Sequence, residues 1–126
     1  MSNILEFECD LFKLDNFATK LAKICNAGDI YLLKGDLGSG KTTFARSFIN
    51  SIFDINNLSR PGNIKSPSFP IMINYNLVDY EIYHYDLYRL ENINELVEIE
   101  FFEEVEKNIS IIEWPELLLK SYNLIN

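Results

Sequence analysis

The chain has 126 residues, 48% hydrophobic and 13% aromatic, enough apolar side chain for a folded domain with a modest core and too much for a disordered one. Nineteen acidic residues against eleven basic ones give a net charge of −8, which argues against autonomous nucleic-acid binding, because such binding relies on Lys and Arg neutralising phosphates. No apolar run approaches the length of a membrane span, and Met1 to Glu6 lacks the basic-then-apolar pattern of a signal peptide. Cys9 and Cys25 have no paired-ligand spacing and read as free thiols in a reducing compartment. The expectation is a cytoplasmic protein with residues 1–126 forming a single domain.

Ile4-Leu5-Glu6-Phe7-Glu8 alternates and predicts a first strand. Asp15 is a plausible N-cap for a helix whose apolar face is Phe17, Ala18, Leu21, Ala22, Ile24 and Cys25, closed by Gly28. Ile30-Tyr31-Leu32-Leu33 reads as a buried strand. Phe44, Ala45, Phe48, Ile49 and Ile52 then follow a helical period to about Ile52. Residues 56–67, rich in Asn, Ser, Pro and Gly, form a loop. Ile71, Ile73, Tyr75 and Leu77 alternate with polar positions as a strand, Asp79 marks a turn, and Glu81 to Leu87 returns as the second arm of a hairpin. Asn94 is placed to cap a helix from Glu95 to about Val105. Ile109-Ser110-Ile111-Ile112 suits a central strand buried on both faces, Pro115 ends it, and a turn or two of helix follows Glu116. The fold class is α/β: a mostly parallel central sheet with an added antiparallel hairpin, flanked by helices.

Between the second strand and the second helix lies Gly35-Asp36-Leu37-Gly38-Ser39-Gly40-Lys41-Thr42, which reads G-x-x-x-x-G-K-T. This is the phosphate-binding loop of nucleotide-binding proteins, and strand, glycine loop, helix is its confirming context. A chain of this length matches the pattern by chance roughly 0.4% of the time at average residue usage. The backbone N–H groups of Asp36, Leu37, Gly38, Ser39 and Gly40 are placed to wrap phosphate oxygens, and the positive end of the helix adds to that nest. Lys41 supplies a cation for the β- and γ-phosphates, the Thr42 hydroxyl a ligand for Mg²⁺, and Thr43 a hydrogen bond to the α-phosphate region. The fold is therefore P-loop NTPase-like, with a nucleoside triphosphate and Mg²⁺ as the expected ligands.

Such a site needs acids near the metal and a group that orients water. Asp86 ends one strand run and Glu113 another, at the carboxyl ends where α/β sheets bind ligands. The plainer alternative for each is a solvated strand end or a salt bridge to Arg89. His84, the one histidine, is by its place in an aromatic strand more often structural, yet it can hydrogen-bond a carboxylate. Trp114 follows Glu113 directly; it either packs or contacts the nucleotide loop. Ser66-Pro67-Ser68-Phe69 is either a rigid surface turn or a segment that orders around the γ-phosphate as switches do.

Taken together and in order, the glycine loop with Thr43-Phe44, then Ser66-Pro67-Ser68-Phe69, His84-Tyr85-Asp86-Leu87-Tyr88-Arg89-Leu90 and Ile112-Glu113-Trp114-Pro115-Glu116 resemble the TsaE (YjeE-type) family of P-loop ATPases. The resemblance runs from about Ile30 to Glu116. It implies a bacterial Mg²⁺-dependent ATPase, weak alone, that supports the partners TsaD and TsaB. That machinery installs N6-threonylcarbamoyl on the adenosine beside the anticodon of tRNAs reading ANN codons, with tRNA held by the partners. It implies catalytic roles for Lys41, Asp86 and Glu113, a metal site at Thr42, Asp86 and Glu113, and a nucleotide contact for Trp114. Two positions depart from the family pattern: Ser68 stands where Thr is usual, and Glu100 stands where Gly is common. Two other classes stay open on the residues alone. A small-molecule kinase needs an Arg-bearing lid, and only Arg46, Arg60 and Arg89 are present. A nucleotide-dependent interaction module with negligible hydrolysis would have little use for Lys41, Thr42, Asp86 and Glu113 together.

Overall fold

A computed structural model describes residues 13–36 and 40–121 of the chain. The predicted strand at Ile4 to Glu8, Cys9, and Leu37, Gly38 and Ser39 of the glycine loop lie outside the described residues.

The elements run α1 (Leu14–Ala22), β1 (Ile30–Leu33), α2 (Lys41–Ile55), β2 (Met72–Asn76), β3 (Glu81–Asp86), α3 (Asn94–Glu98), α4 (Phe101–Glu104), β4 (Ile109–Glu113) and α5 (Glu116–Ser121). Four strands form one sheet in the order β1-β4-β3-β2. β4 pairs in parallel with β1 and β3, and β2 is antiparallel to β3. This is the expected α/β architecture. β4 is central and buried at all five positions, as its nearly unbroken apolar run requires. β1 is less buried than expected: Ile30 is exposed and the rest of the strand half-buried, because β1 pairs with β4 alone among the described strands.

Side chains alternate across the sheet, so each strand feeds two cores. On one face Ile82, Ile109 and Ile111 pack with Leu14, Ala18 and Ala22 of α1 and with Phe44, Ala45, Phe48, Ile49, Ile52 and Phe53 of α2. On the other, Tyr85 and Ile112 meet Leu96, Phe101, Val105 and Leu118. Aromatic contacts run through both layers, with Tyr31 edge-on to Phe48 at 4.9 Å and Tyr85 edge-on to Phe101 at 5.0 Å between ring centroids. Burying each such side chain stabilises by about 1.5–3 kcal/mol, so the two layers hold the sheet rigid beneath the site.

Four local expectations are corrected. Asp15 is not the N-cap of α1. Lys13 holds that position, and Asp15 sits in the first turn, where its carboxylate accepts the Ser47 hydroxyl of α2. Ile24 does not join the apolar face; α1 ends at Ala22 and Ile24 is 70% exposed. β2 starts at Met72, because Ile71 lies at φ 70°, off the strand. The single helix expected from Glu95 to Val105 is two short ones, α3 entered from Ile93 rather than capped by Asn94, and α4. The break is at Glu100, whose left-handed φ of 59° cannot continue an α-helix.

Candidate functional site

The site forms at the carboxyl edge of the parallel strands. Leu33, Glu113 and Asp86 share one register row across β1, β4 and β3. In adjacent parallel strands, ~4.8 Å apart, residues in register point to the same face. Ile82 and Ile111 face α1 and α2, so the period of two turns His84, Asp86 and Glu113 to that face as well. There they meet the first turn of α2, which carries Lys41 and Thr42. Gly40, the N-cap of α2, has φ 98°, a backbone state that favours glycine and lets the loop enter the helix sharply.

The contacts follow from that convergence. The Thr42 hydroxyl donates to Glu113 Oε1 at 2.9 Å. His84 Nε2 lies 2.6 Å from Glu113 Oε2. Glu113 and His84 are both buried, and a buried carboxylate is tolerable only when its oxygens are paired. Asp86, also buried, accepts from the Ser68 hydroxyl at 3.0 Å and from the Tyr88 N–H at 3.0 Å. Lys41 Nζ donates to the carbonyls of Gly35 and Asp36, the latter at 2.9 Å, and lies 3.9 Å from the centre of the Trp114 ring. Trp114 is aimed there by a left-handed φ of 55° directly after β4, and it packs on Tyr88.

The structure thus gathers Lys41, Thr42, Asp86, Glu113 and Trp114, which sequence reasoning singled out separately. Thr43 is exposed on the first turn of α2, and Asp36 offers its carbonyl to Lys41. The proposed Arg89 bridge to the acids is absent among the described contacts; Arg89 stacks over Phe69 at 4.8 Å. Arg46 donates to the Ile64 carbonyl and Arg60 pairs with Asp54. The residue whose place sequence left most open is His84. Its signal was available in hindsight: two positions before Asp86 on β3, it shares the face of Asp86.

The donor set suits a hard divalent cation bound with a nucleotide phosphate. Thr42 spends its one hydrogen on Glu113, which leaves the hydroxyl lone pairs for a metal. Oxygen ligands on a short side chain beside two buried carboxylates match Mg²⁺ preferences. Among the described residues no three His, Cys, Asp or Glu side chains form a metal cage of their own, and a Mg²⁺ that is completed by phosphate oxygens needs none. Away from the site, burial and then the nearby Asp29 carboxylate push the Cys25 thiol up to about 11, so it is a poor nucleophile at neutral pH. No helix among the described residues is long and apolar enough to cross a membrane.

Residues 10–125 match the family described as Threonylcarbamoyl adenosine biosynthesis protein TsaE. The tRNA threonylcarbamoyladenosine biosynthesis protein TsaE of Rickettsia typhi is 40% identical over 103 residues, covering 82% of this chain and 68% of its own. The protein of the same name from Rickettsia felis is 42% identical over 101 residues, covering 80% and 56%. That of Haemophilus influenzae is 33% identical over 124 residues, covering 92% and 73%. Among solved structures, the crystal structure of Bacillus subtilis YdiB superposes with a TM-score of 0.56 at 25% identity, covering 86% of this chain and 62% of that one. The chain therefore spans between 56% and 73% of the length of these relatives.

Proposed function

The chain belongs to the TsaE family of tRNA threonylcarbamoyladenosine biosynthesis proteins, and from that premise we propose that it is the Mg²⁺-dependent ATPase of the modification machinery. In this reading it binds ATP, hydrolyses it to ADP and phosphate, and supports threonylcarbamoyl transfer by homologues of TsaB and TsaD to the adenosine beside the anticodon of tRNAs reading ANN codons. It acts in the cytoplasm as one domain, weakly when alone. The observation that carries the reading is the Thr42–Glu113 hydrogen bond of 2.9 Å at the start of α2. It joins the glycine loop to the acid of the central strand, 71 residues away.

The roles follow from chemistry. Backbone N–H groups of Asp36, Leu37, Gly38, Ser39 and Gly40 hold the phosphates, with Thr43 at the α-phosphate. Lys41 leaves its carbonyl partners for the β- and γ-phosphates, since a charge-assisted bond to an anion outcompetes a neutral acceptor. Thr42 holds the metal, with Asp86 and Glu113 as the acids beside it. A Mg²⁺ held at Thr42 beside Asp86 and Glu113 would supply positive charge against that which develops on the phosphates. Asp86, with Ser68 on one oxygen, is placed to order the attacking water and the 66–69 segment. Trp114, already over Lys41, contacts the nucleotide end of the loop.

A phosphate-transferring kinase is disfavoured by the three arginines, which are engaged by Ile64, Asp54 and Phe69 and form no clamp. The test is phosphate release from ATP and from GTP, with and without the TsaB and TsaD homologues. Release from ATP that rises with the partners supports the proposal. Transfer of phosphate to a small metabolite would favour the kinase, and nucleotide binding with no release would favour an interaction module.

A further inference from the structure

We propose that His84 is a positioning residue for the cation site: its Nε2–H holds Oε2 of Glu113, so that Oε1 is presented to the Thr42 hydroxyl. The inference rests on the nucleotide reading above and deepens it.

His84 is fully buried, on the face of β3 that looks toward α2. Its Nε2 lies 2.6 Å from Glu113 Oε2. A carboxylate only accepts, so the bond runs from Nε2–H to the oxygen. Nδ1 has no hydrogen-bond partner. A buried ring with one bare nitrogen is a poor choice for packing alone, because an apolar side chain would fill the same place without stranding a polar atom. The Glu113 contact is the polar reason for a histidine there.

Geometry gives the bond its consequence. Glu113 ends β4, and its carboxyl group can turn about several single bonds. Two hydrogen bonds pin it, one on each oxygen: Thr42 on Oε1 and His84 on Oε2. Thr42 is itself exchangeable, since its hydroxyl hydrogen rotates to suit. His84, fixed by β3 and buried on all sides, is the rigid member. It therefore sets where Oε1 stands, and Oε1 sets the direction of the Thr42 hydrogen and of the lone pairs left for a cation. Asp86 offers no substitute, because a carboxylate has no hydrogen to donate to Glu113. Supporting groups of this kind tune metal affinity without touching the metal.

The experiment compares ADP binding in EDTA with the Mg²⁺ concentration that half-saturates the ADP complex, by calorimetry, for the parent chain, His84→Leu and His84→Gln. Leu removes the donor; Gln returns an amide N–H at nearly the reach of Nε2. We expect His84→Leu to raise the half-saturating Mg²⁺ about tenfold or more and to leave ADP binding in EDTA unchanged, with His84→Gln within about threefold of the parent. Equal Mg²⁺ affinity in the Leu and Gln variants overturns the inference, whether both match the parent or both fall. If thermal melts show that His84→Leu does not fold, His84→Asn replaces it. Its amide is one methylene too short, so it must lose Mg²⁺ affinity where Gln keeps it. A parent that binds ADP and Mg²⁺ while all variants match it overturns the role of His84 alone. A parent that binds no ADP overturns the nucleotide reading and the inference with it.

Discussion

At Glu100 the backbone takes φ 59° and ψ 31° between two short helices. A side chain in this left-handed region costs about 1–2 kcal/mol, while glycine adopts it freely and loses about 0.5–1 kcal/mol of extra chain entropy on folding. Glu100→Gly should therefore stabilise the chain by about 0.5–1 kcal/mol, a rise in Tm of about 2–4 °C. Thermal denaturation checks this, and a fall in Tm would mean that the turn is not left-handed. Trp114 repeats the logic beside the chemistry. Its φ of 55° is accompanied by a tilted ring contact with Tyr88 and by Lys41 over its ring, contacts that offset the cost of the turn. Backbone strain of this sort collects at functional sites.

Among the elements, the turn of residues 67–71 is the one with a job beyond packing. Ile71, β-branched at φ 70°, donates its N–H to the Pro67 carbonyl at 2.7 Å and accepts from the Asp86 N–H at 2.9 Å. The Ser68 hydroxyl then reaches Asp86 Oδ2. Pro67 is buried and Ile71 packs against the core, but Phe69 stays 84% exposed, and the Ser68 hydroxyl supplies the segment's side-chain hydrogen bond to the site. Ser68→Ala should increase protease cleavage within residues 60–70 severalfold at nearly unchanged Tm, since one partly exposed hydrogen bond carries only about 1 kcal/mol. Ser68→Thr should behave like the parent. Equal cleavage in all three would show that the segment is fixed by other means. The periodic elements could be read ahead of the structure. α2 shows its core face as Phe44, Ala45, Phe48, Ile49 and Ile52, and β4 its burial as an apolar run. The breaks could not be read, because they rest on φ at Ile71 and Glu100, residues that ordinarily avoid that conformation. Type and spacing single out Lys41, Thr42, Asp86 and Glu113 as candidates, and the structure brings them to one edge of the sheet. The pairing of Glu113 with Thr42 and His84 needed the register of β3 on β4, which no local pattern encodes.

Across the described residues, one edge of the sheet gathers Lys41, Thr42, both acids and Trp114, while the chain carries a net charge of −8. That balance disfavours a polyanion as a direct partner, so tRNA should bind the isolated chain more weakly than about 10 μM at physiological salt by fluorescence anisotropy. Tighter binding would contradict the charge argument and the place given to the partners. Tyr88 and Phe69 are exposed while the two acids are buried. In the proposed function, Lys41 and Asp86 serve one hydrolytic site. Steady-state phosphate release from ATP, with Mg²⁺ and the TsaB and TsaD homologues, should fall to background in Lys41→Ala together with nucleotide binding. In Asp86→Ala release should drop at least about a hundredfold while the nucleotide still binds, as loss of a water-orienting acid does. Parent-like release in Lys41→Ala, or equal loss of binding and release in Asp86→Ala with its fold intact, would contradict it.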